Sequence, residues 1–224
     1  EVVLLEGWTF RQMRAALDAH AGVRHDTAGW TERQIMEKLG AEGSAEGRFF
    51  PDTYLFAKGS GDLDILKRAY RHMNNILLAE WEGREPSLPY KSPYETLIMA
   101  SIVEKETGRS QDRTQIASVF LNRLKKGMLL QTDPTVIYGL GEKFDGNLRK
   151  RDLLADGPYN TYTRLGLPPT PIAMPGLASV QAVMRPAATE MLYFVARGDG
   201  SSQFSRTLEE HNRAVAKYQL RKEN

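Results

Sequence analysis

The chain has 224 residues, of which 41% are hydrophobic and 26% are charged, with a formal net charge of +2. This composition is typical of a globular protein that buries one large core or two small ones, and the charge gives no case for nucleic-acid binding. The absence of cysteine excludes disulfides, a thiol nucleophile and thiolate metal ligands. No apolar run reaches the roughly 18 residues that indicate a membrane span, and no signal peptide is visible.

The opening part of the chain predicts a strand, two helices and a second strand. The stretch EVVLLEG is typical of a short strand, and GRFFPDTYLF is extended, with a proline that suits an edge strand or a turn. Between them, WTFRQMRAALDAH has helical periodicity, and TERQIMEKLG predicts a shorter helix that ends near Gly40. The predicted buried face of the first helix consists of Phe10, Met13, Ala16 and Leu17.

A predicted domain boundary follows the next helix. The stretch DLDILKRAYRHMNNILLAEW predicts a long helix, and the polar, proline-bearing stretch EGREPSLPYKSP follows it. We therefore predict two domains, one over residues 1–88 and one over residues 89–224. The sequence contains no internal repeat.

The second half opens with strong signals for a helix. Ser92, Pro93 and Glu95 predict an N-cap, a proline in the first turn and a reciprocal capping box. Gly108 predicts the end of this helix, and the apolar spacing predicts another helix over residues 111–126.

The last third of the chain combines a loop, a hairpin and a helix. Residues 157–176 have no periodicity and many prolines, which predicts an ordered loop or a lid. MLYFVARGDGSSQFS predicts a hairpin that turns at GDG, and TLEEHNRAVAKYQL predicts a final helix with Thr207 and Glu210 as its capping box. The whole pattern predicts an α+β fold, in which a β-α-α-β module precedes a helix-rich domain that ends in a hairpin and a helix.

The stretch MASIVEKETG holds two glutamates that a helix places on opposite sides. On a helical wheel, Glu106 falls in the middle of an apolar arc, and Glu104 falls on the far side, where we expect it to face water. Desolvation raises the pKa of a carboxyl group, as a general acid requires near neutral pH, so Glu106 is the stronger catalytic candidate. The alternative is that Glu106 only pairs with Lys105, Arg109 or Arg113. The apolar arc consists of Ile98, Met99, Ile102 and Val103.

A second group of candidates lies in two polar stretches. QTDPTVIYG predicts a short helix capped by Thr132 or Asp133, and YNTYT lies in the proline-rich loop. Aromatic faces and side-chain amides suit a sugar ring with its hydroxyl and acetamido groups. The alternatives are a simple capping role for Asp133 and aromatic packing under the loop for the tyrosines. The candidate substrate-binding residues are Gln131, Asp133, Tyr159, Asn160 and Tyr162.

Other classes of site have little support in the sequence. The four histidines are scattered without His-Glu-x-x-His spacing, so we expect no metal site. Phosphate-loop, dinucleotide-binding and G-x-S-x-G motifs are absent, so we expect no cofactor. His211 lies on the Leu208 and Val215 side of the last predicted helix, and we interpret it as a packed core residue.

Four stretches of the chain resemble the YceG-like family of endolytic murein transglycosylases. They are MASIVEKETG, VFLNRLKKGMLLQTDPTVIYGLG, YNTYTRLGLPPTPIAMPG and LYFVARGDGSSQFSRTLEEHNRAV, and the match runs through residues 90–216 nearly without gaps. LEGWTFRQMRAAL and EGRFFPDTYLF are similar to the family's N-terminal LysM-like portion. The resemblance implies that Glu106 is the catalytic residue and that the QTDPT and YNTY stretches belong to the active-site cleft.

The resemblance also implies an activity and a setting. The expected reaction cleaves the β-1,4 bond between N-acetylmuramic acid and N-acetylglucosamine inside peptidoglycan strands, leaves 1,6-anhydromuramic acid ends and consumes no water. The family implies a periplasmic enzyme on a single N-terminal inner-membrane anchor, which is absent from this sequence, with penicillin-binding synthases as partners. We expect a monomer with no cofactor and no nucleic-acid partner.

Two other functions stay open at this point. A muramidase would hydrolyse the same bond, with Asp133 as the second carboxylate that hydrolases usually need. A non-catalytic peptidoglycan-binding or scaffolding protein would need no catalytic acid.

Overall fold

The computed structural model describes residues 1–219 as a helix-rich α+β fold with two small antiparallel sheets. Leu220, the last residue of the predicted final helix, lies outside the described residues. Within residues 1–219, no helix combines the length and apolarity that crossing a membrane requires. In chain order the elements are β1 (Val2–Val3), α1 (Phe10–Asp18), α2 (Glu32–Lys38), β2 (Thr53–Tyr54), α3 (Asp62–Glu82), α4 (Pro93–Glu106), α5 (Arg113–Lys125), α6 (Asp133–Leu140), α7 (Lys150–Leu154), α8 (Leu177–Met184), β3 (Tyr193–Ala196), β4 (Ser202–Ser205) and α9 (Leu208–Tyr218).

The predicted β-α-α-β order at the N-terminus is confirmed. Strands β1 and β2 pair antiparallel, with Val2 opposite Tyr54. Both intervening helices begin with capping boxes in which a threonine and a glutamine three residues later satisfy each other's backbone N–H groups. These local bonds fix where each helix starts, and the apolar faces of both helices then contribute to one hydrophobic cluster. The likeness of this module to LysM stays a prediction.

Helix α4 is surrounded by protein on nearly every side. Every residue from Thr96 to Val103 is buried, so the single apolar arc expected from the wheel is wrong: α3, α5 and α8 cover the other faces. Ser92 caps the helix by accepting the N–H of Glu95, as predicted. The reciprocal bond of the capping box is not made, because the Glu95 carboxylate accepts the N–H of Lys91 instead, at 2.7 Å.

Helix α3 contributes to two hydrophobic clusters. Its first half, with Ile65 and Leu66, packs into the N-terminal cluster formed with α1 and α2. Its second half, with Met73 and Leu77, packs into the central cluster built around α4. The predicted domain boundary at residue 88 stays a prediction. The central cluster nevertheless includes buried side chains from residues before that boundary.

A fragment that starts at residue 89 should therefore not fold by itself. It would lack Phe50, Met73 and Leu77, which are buried in the central cluster. Losing one large core side chain typically costs about 2–5 kcal/mol, whereas a whole domain is stable by only about 5–15 kcal/mol. We expect residues 89–224 to show no cooperative thermal transition by circular dichroism, whereas the full chain shows one. A cooperative melt of the fragment would instead support an independent domain.

The C-terminal elements match their predictions. Strands β3 and β4 form the hairpin, with Phe194 opposite Phe204, and α9 starts with the Thr207–Glu210 capping box. The predicted loop over residues 157–176 contains no helix or strand. It is nevertheless fixed to the body of the protein, since the Ile172 N–H donates to Ser101 Oγ at 3.0 Å. This bond ties the loop to α4, and side chains of the loop and of the hairpin line one cleft together with Glu106, the last residue of α4.

Candidate active site

Glu106 is the last residue of α4 and lines a cleft of about 740 Å³. Its Oε1 accepts a hydrogen bond from Thr132 Oγ1 at 2.5 Å. Burial raises the pKa of the Glu106 carboxyl; the bond from Thr132 lowers the pKa, and the charge of nearby Asp133 raises it further. The net effect is a raised pKa, so this carboxyl holds its proton to a higher pH than an ordinary glutamate and suits a general acid.

Thr132 is a site residue that the sequence analysis treated only as a helix cap. It occupies the N-cap position of α6, but its side chain makes no capping bond and instead donates its hydroxyl to Glu106. Its own N–H donates to Thr161 Oγ1 at 3.0 Å, and Thr161 in turn bonds Thr135 at 2.8 Å. This buried network of threonines fixes the hydroxyl against the carboxyl. The sequence feature that could have identified Thr132 was its position between two predicted site residues, Gln131 and Asp133.

Replacing Thr132 with valine should shift the pH dependence of the reaction. The hydroxyl bond favours ionised Glu106, so its loss raises the pKa of Glu106 further. The alkaline limb of the kcat/KM profile, where Glu106 loses its proton, should move to higher pH, and the rate should fall about tenfold or more as positioning is lost. Thr132→Ser keeps the hydroxyl and serves as the control. An unchanged alkaline limb in Thr132→Val would contradict this role.

Asp133 and Tyr162 lie in the same cleft and are bonded to each other. The Tyr162 hydroxyl donates to Asp133 Oδ1 at 2.5 Å, and both residues line the cleft beside Glu106. Burial, followed by the bond to Asp133, raises the pKa of Tyr162, so the phenol stays protonated and acts as a donor. The influence of Asp133 on Glu106 also means that a second carboxylate lies within electrostatic range of the candidate acid.

Gln131 lies at the edge of the cleft in an unusual backbone conformation. Among the described residues it is the one non-glycine residue with positive φ, at 50°. Its N–H donates to the Thr161 carbonyl at 3.1 Å, which holds this strained conformation in place. Strained backbone of this kind is concentrated at functional sites. The prediction that Gln131 belongs to the cleft is therefore consistent with its position.

Tyr159 lies outside the cleft. Its ring packs against Tyr138, with centroids 4.9 Å apart, and its hydroxyl bonds Thr170 Oγ1 at 2.7 Å. Tyr159 therefore has the packing position that the sequence analysis kept as its alternative. Contact between Tyr159 and a substrate stays a prediction.

Asn160 is buried beneath the loop and its amide is engaged within the protein. Its Nδ2 donates to the carbonyls of Leu153 and Ala155 at 3.0 and 2.7 Å. Its Oδ1 accepts the N–H of Tyr162 at 2.9 Å. The structure thus places Asn160 where it supports Tyr162, whereas its predicted contact with an acetamido group stays a prediction.

Glu104 does not face water as expected. Its Oε2 accepts hydrogen bonds from the Gly176 N–H at 3.0 Å and from Ser179 Oγ at 2.6 Å. These groups lie at the N-terminus of α8, where the helix dipole favours a negative charge. The expectation failed because α8 covers the side of α4 that the wheel left open. Glu104 is therefore a link between two helices and lies outside the cleft.

Substitutions at Glu104 should show whether this residue contributes to stability or to the reaction. Glutamine keeps an acceptor oxygen for Gly176 and Ser179, so Glu104→Gln should keep most of the activity. Alanine removes both bonds at the start of α8 and should lower the free energy of unfolding by about 1–3 kcal/mol. Denaturant unfolding and initial rates on the same samples provide the measurement. If Glu104→Gln were folded but inactive, Glu104 would have to act in the reaction itself.

The hairpin and the last helix supply cleft residues that the sequence analysis missed. Tyr193 of β3 and His211 of α9 both line the cleft, and their rings stack with centroids 5.1 Å apart. The interpretation of His211 as a packed core residue is therefore wrong: one side of the ring packs on Tyr193, but the residue is part of the cleft wall. Helical periodicity did not reveal this, because the hairpin that α9 packs against is distant in sequence.

A larger cavity lies elsewhere, between α1 and α6, with a volume of about 1030 Å³. Its lining includes Glu46, which has a raised pKa of about 7 because it is buried. Glu46 is only 5% exposed, and its two oxygens accept the Phe10 N–H and the Tyr138 hydroxyl. Because both oxygens of Glu46 accept hydrogen bonds from the protein, whereas the structure gives Glu106 one such bond, from Thr132 to Oε1, we assign the chemistry to the Glu106 cleft.

Comparison with known proteins agrees with the motifs and the geometry. The YceG-like family model matches residues 1–217, and the chain belongs to this family. The sequence is 45% identical over 174 residues to the endolytic murein transglycosylase of Bacillus subtilis, covering 77% of this chain and 48% of that protein. It is 32% identical over 190 residues to the endolytic murein transglycosylase of Streptococcus pneumoniae R6, covering 82% of this chain and 34% of that protein.

A solved structure supports the fold. A YceG-like protein from Listeria monocytogenes, determined by crystallography at 2.6 Å, superimposes with a TM-score of 0.81 and 33% sequence identity. The match covers 95% of this chain and 75% of the Listeria chain. The chain spans about half the length of the Bacillus relative and about a third of the Streptococcus relative. The resemblance inferred from the sequence motifs is therefore confirmed at the level of the family.

Proposed function

We propose that this chain carries the catalytic region of an endolytic murein transglycosylase, a lytic enzyme acting on peptidoglycan glycan strands. The observation that carries the proposal is Glu106, a carboxyl with a raised pKa that is bonded to Thr132 inside a cleft. The names of the Bacillus and Streptococcus relatives support the same activity. The bond cleaved is the β-1,4 linkage between N-acetylmuramic acid and N-acetylglucosamine.

In the proposed mechanism, Glu106 serves as acid and then as base. Protonated Glu106 donates its proton to the glycosidic oxygen, and the leaving sugar departs as an alcohol. The substrate's own 2-acetamido oxygen stabilises the positive anomeric carbon. Carboxylate Glu106 then removes the proton from O6 of the muramic acid as O6 bonds to the anomeric carbon, which closes the 1,6-anhydro ring. Glu106 ends protonated again, and no water enters the product.

The neighbouring groups have supporting roles in this proposal. The Thr132 hydroxyl stabilises the carboxylate form of Glu106 between the two steps. Tyr162 and Asp133 form a bonded pair at the edge of the same cleft, where they position a sugar ring. Gln131, which also lines the cleft, has its backbone held in a strained conformation.

The cellular setting is also a proposal. The family resemblance favours the periplasmic side of a bacterial inner membrane, with an N-terminal anchor in the full-length protein. Penicillin-binding synthases are the proposed partners, a monomer is the proposed state, and the LysM-like N-terminal module is the proposed contact for long strands.

Product analysis on purified glycan strands tests the activity against both alternatives. We expect long strands to be cut to fragments of intermediate length, as internal cleavage requires, with anhydromuramic ends by mass spectrometry. A muramidase using Asp133 would give products heavier by one water. A scaffolding protein would bind the strands and leave their length unchanged. Either of these two results would contradict the proposed reaction.

A further inference from the structure

The hairpin and α9 form a wall of the cleft, and this wall contains polar side chains that have no role in the proposed mechanism. His211 stacks on Tyr193 with an interplanar angle of 23°, and the Arg123 guanidinium lies 4.9 Å from the Tyr193 ring centroid. Arg123 directs Nε to the Leu192 carbonyl at 2.6 Å and Nη1 to the Leu129 carbonyl at 2.9 Å. These two guanidinium nitrogens are bonded to backbone oxygens, whereas His211 Nε2 has no hydrogen-bond partner among the described residues, so His211 is a candidate donor for a molecule in the cleft.

The two ring nitrogens of His211 have different surroundings. Nδ1 is buried and has no hydrogen-bond partner among the residues that the structure describes. The residue as a whole is half-buried and lines the cleft, so Nε2 is the nitrogen that a bound molecule can reach. A buried N–H without an acceptor is rare and unfavourable, so the favoured neutral tautomer carries its proton on Nε2.

The surroundings of the ring also disfavour its charged form. Burial lowers the pKa of His211, and the nearby positive charge of Arg123 lowers it further. At neutral pH His211 is therefore an uncharged imidazole with one donor aimed at the cleft.

We infer that His211 is a substrate-binding residue whose Nε2–H donates a hydrogen bond to a sugar oxygen next to the bond that is cleaved. A neutral donor beside an aromatic wall matches the uncharged hydroxyl and acetamido oxygens of a glycan strand. Tyr193 positions the imidazole by stacking on it. The inference rests on the proposed function and adds a binding contact from the hairpin and α9 to the cleft that Gln131, Asp133 and Tyr162 also line.

Two amide substitutions test the position of the donor. In a glutamine side chain the amide nitrogen lies near the position of His Nε2, whereas in asparagine it lies near the position of Nδ1. We would measure the affinity for purified glycan strands in chains that also carry Glu106→Gln, so that binding is observed without cleavage. His211→Gln should bind within about twofold of the Glu106→Gln parent, and His211→Asn about 3- to 10-fold more weakly, the loss expected for one neutral hydrogen bond.

The results that would overturn this inference differ from the results that would overturn the proposed function. Equal affinities for His211→Gln and His211→Asn, with matched melting temperatures, would overturn the assignment of Nε2 as a donor. If the amide variants unfold, His211→Phe keeps a flat ring on Tyr193 and should bind about 3- to 10-fold more weakly than the parent; unchanged affinity would overturn the inference. If wild-type protein cleaves strands while His211→Asn binds as tightly as the Glu106→Gln parent, only this inference fails. If wild-type protein neither binds nor cleaves strands, the proposed function fails and this inference fails with it.

Discussion

Replacing Glu106 with glutamine should abolish glycan cleavage and leave the fold intact. Glutamine keeps the shape of the side chain and an oxygen that accepts the Thr132 hydroxyl, but it has no proton to donate. Loss of an essential acid typically lowers turnover by about 10²-fold or more. Release of soluble fragments from purified strands gives the rate, and circular dichroism gives the fold.

The matched control for this prediction is two residues away in the same helix. Glu104→Gln makes the same chemical change at a carboxylate that bonds α8 and does not line the cleft. It should retain most of the wild-type rate. A Glu106→Gln variant that keeps more than about 1% of the wild-type turnover would show that Glu106 is not the acid, because that residual rate is incompatible with loss of the only proton donor.

Replacing Glu46 with glutamine should stabilise the protein above neutral pH. Glu46 has a pKa of about 7 in the folded chain, against an ordinary value of 4.5, chiefly because it is buried. Between these values the folded chain holds a proton that the unfolded chain has lost, so stability falls as pH rises through this window. The stabilisation by protonated Glu46 is fully present below pH 4.5 and is lost above pH 7, and it is on the order of 3 kcal/mol.

The measurement compares unfolding free energies of the wild type and Glu46→Gln from pH 4 to pH 9. The curves should lie close together at low pH and separate with rising pH, with the variant the more stable. Glutamine preserves an acceptor for the Phe10 N–H and offers a donor to Tyr138. Glu42→Gln, an exposed residue nearby, should track the wild type at every pH. A constant difference between the wild-type and Glu46→Gln curves would contradict the ionisation argument.

Features encoded by neighbouring residues were predictable from the sequence. Capping boxes depend on residues three apart, so the start of α9 at the Thr207–Glu210 box and the N-cap role of Ser92 were predictable from short-range hydrogen bonds. The GDG turn between two β-rich stretches predicted the hairpin for the same reason. The burial of the Glu106 carboxyl was predicted from its apolar neighbours, although α4 is buried on nearly every side and not along a single arc.

Features that depend on distant segments were not predictable in this way. Glu104 was expected to face water, because nothing near it in sequence shows that α8 packs there. The Thr132 hydroxyl bonds Glu106 across 26 positions, so a local reading made it a helix cap. His211 became a cleft residue only through its contact with Tyr193 on the hairpin. In each case the contacting residue is distant in sequence. Helical periodicity gives no information on such contacts.

Digestion of purified glycan strands in water enriched with heavy oxygen tests the central claim most directly. If Glu106 transfers the proton and the O6 of muramic acid attacks the anomeric carbon, the new ends acquire no oxygen from solvent. We therefore predict anhydro ends without the heavy isotope, formed by the wild type and absent from the Glu106→Gln reaction. Heavy oxygen at the anomeric position of the new ends would mean that water is the nucleophile, and would contradict a transglycosylase mechanism.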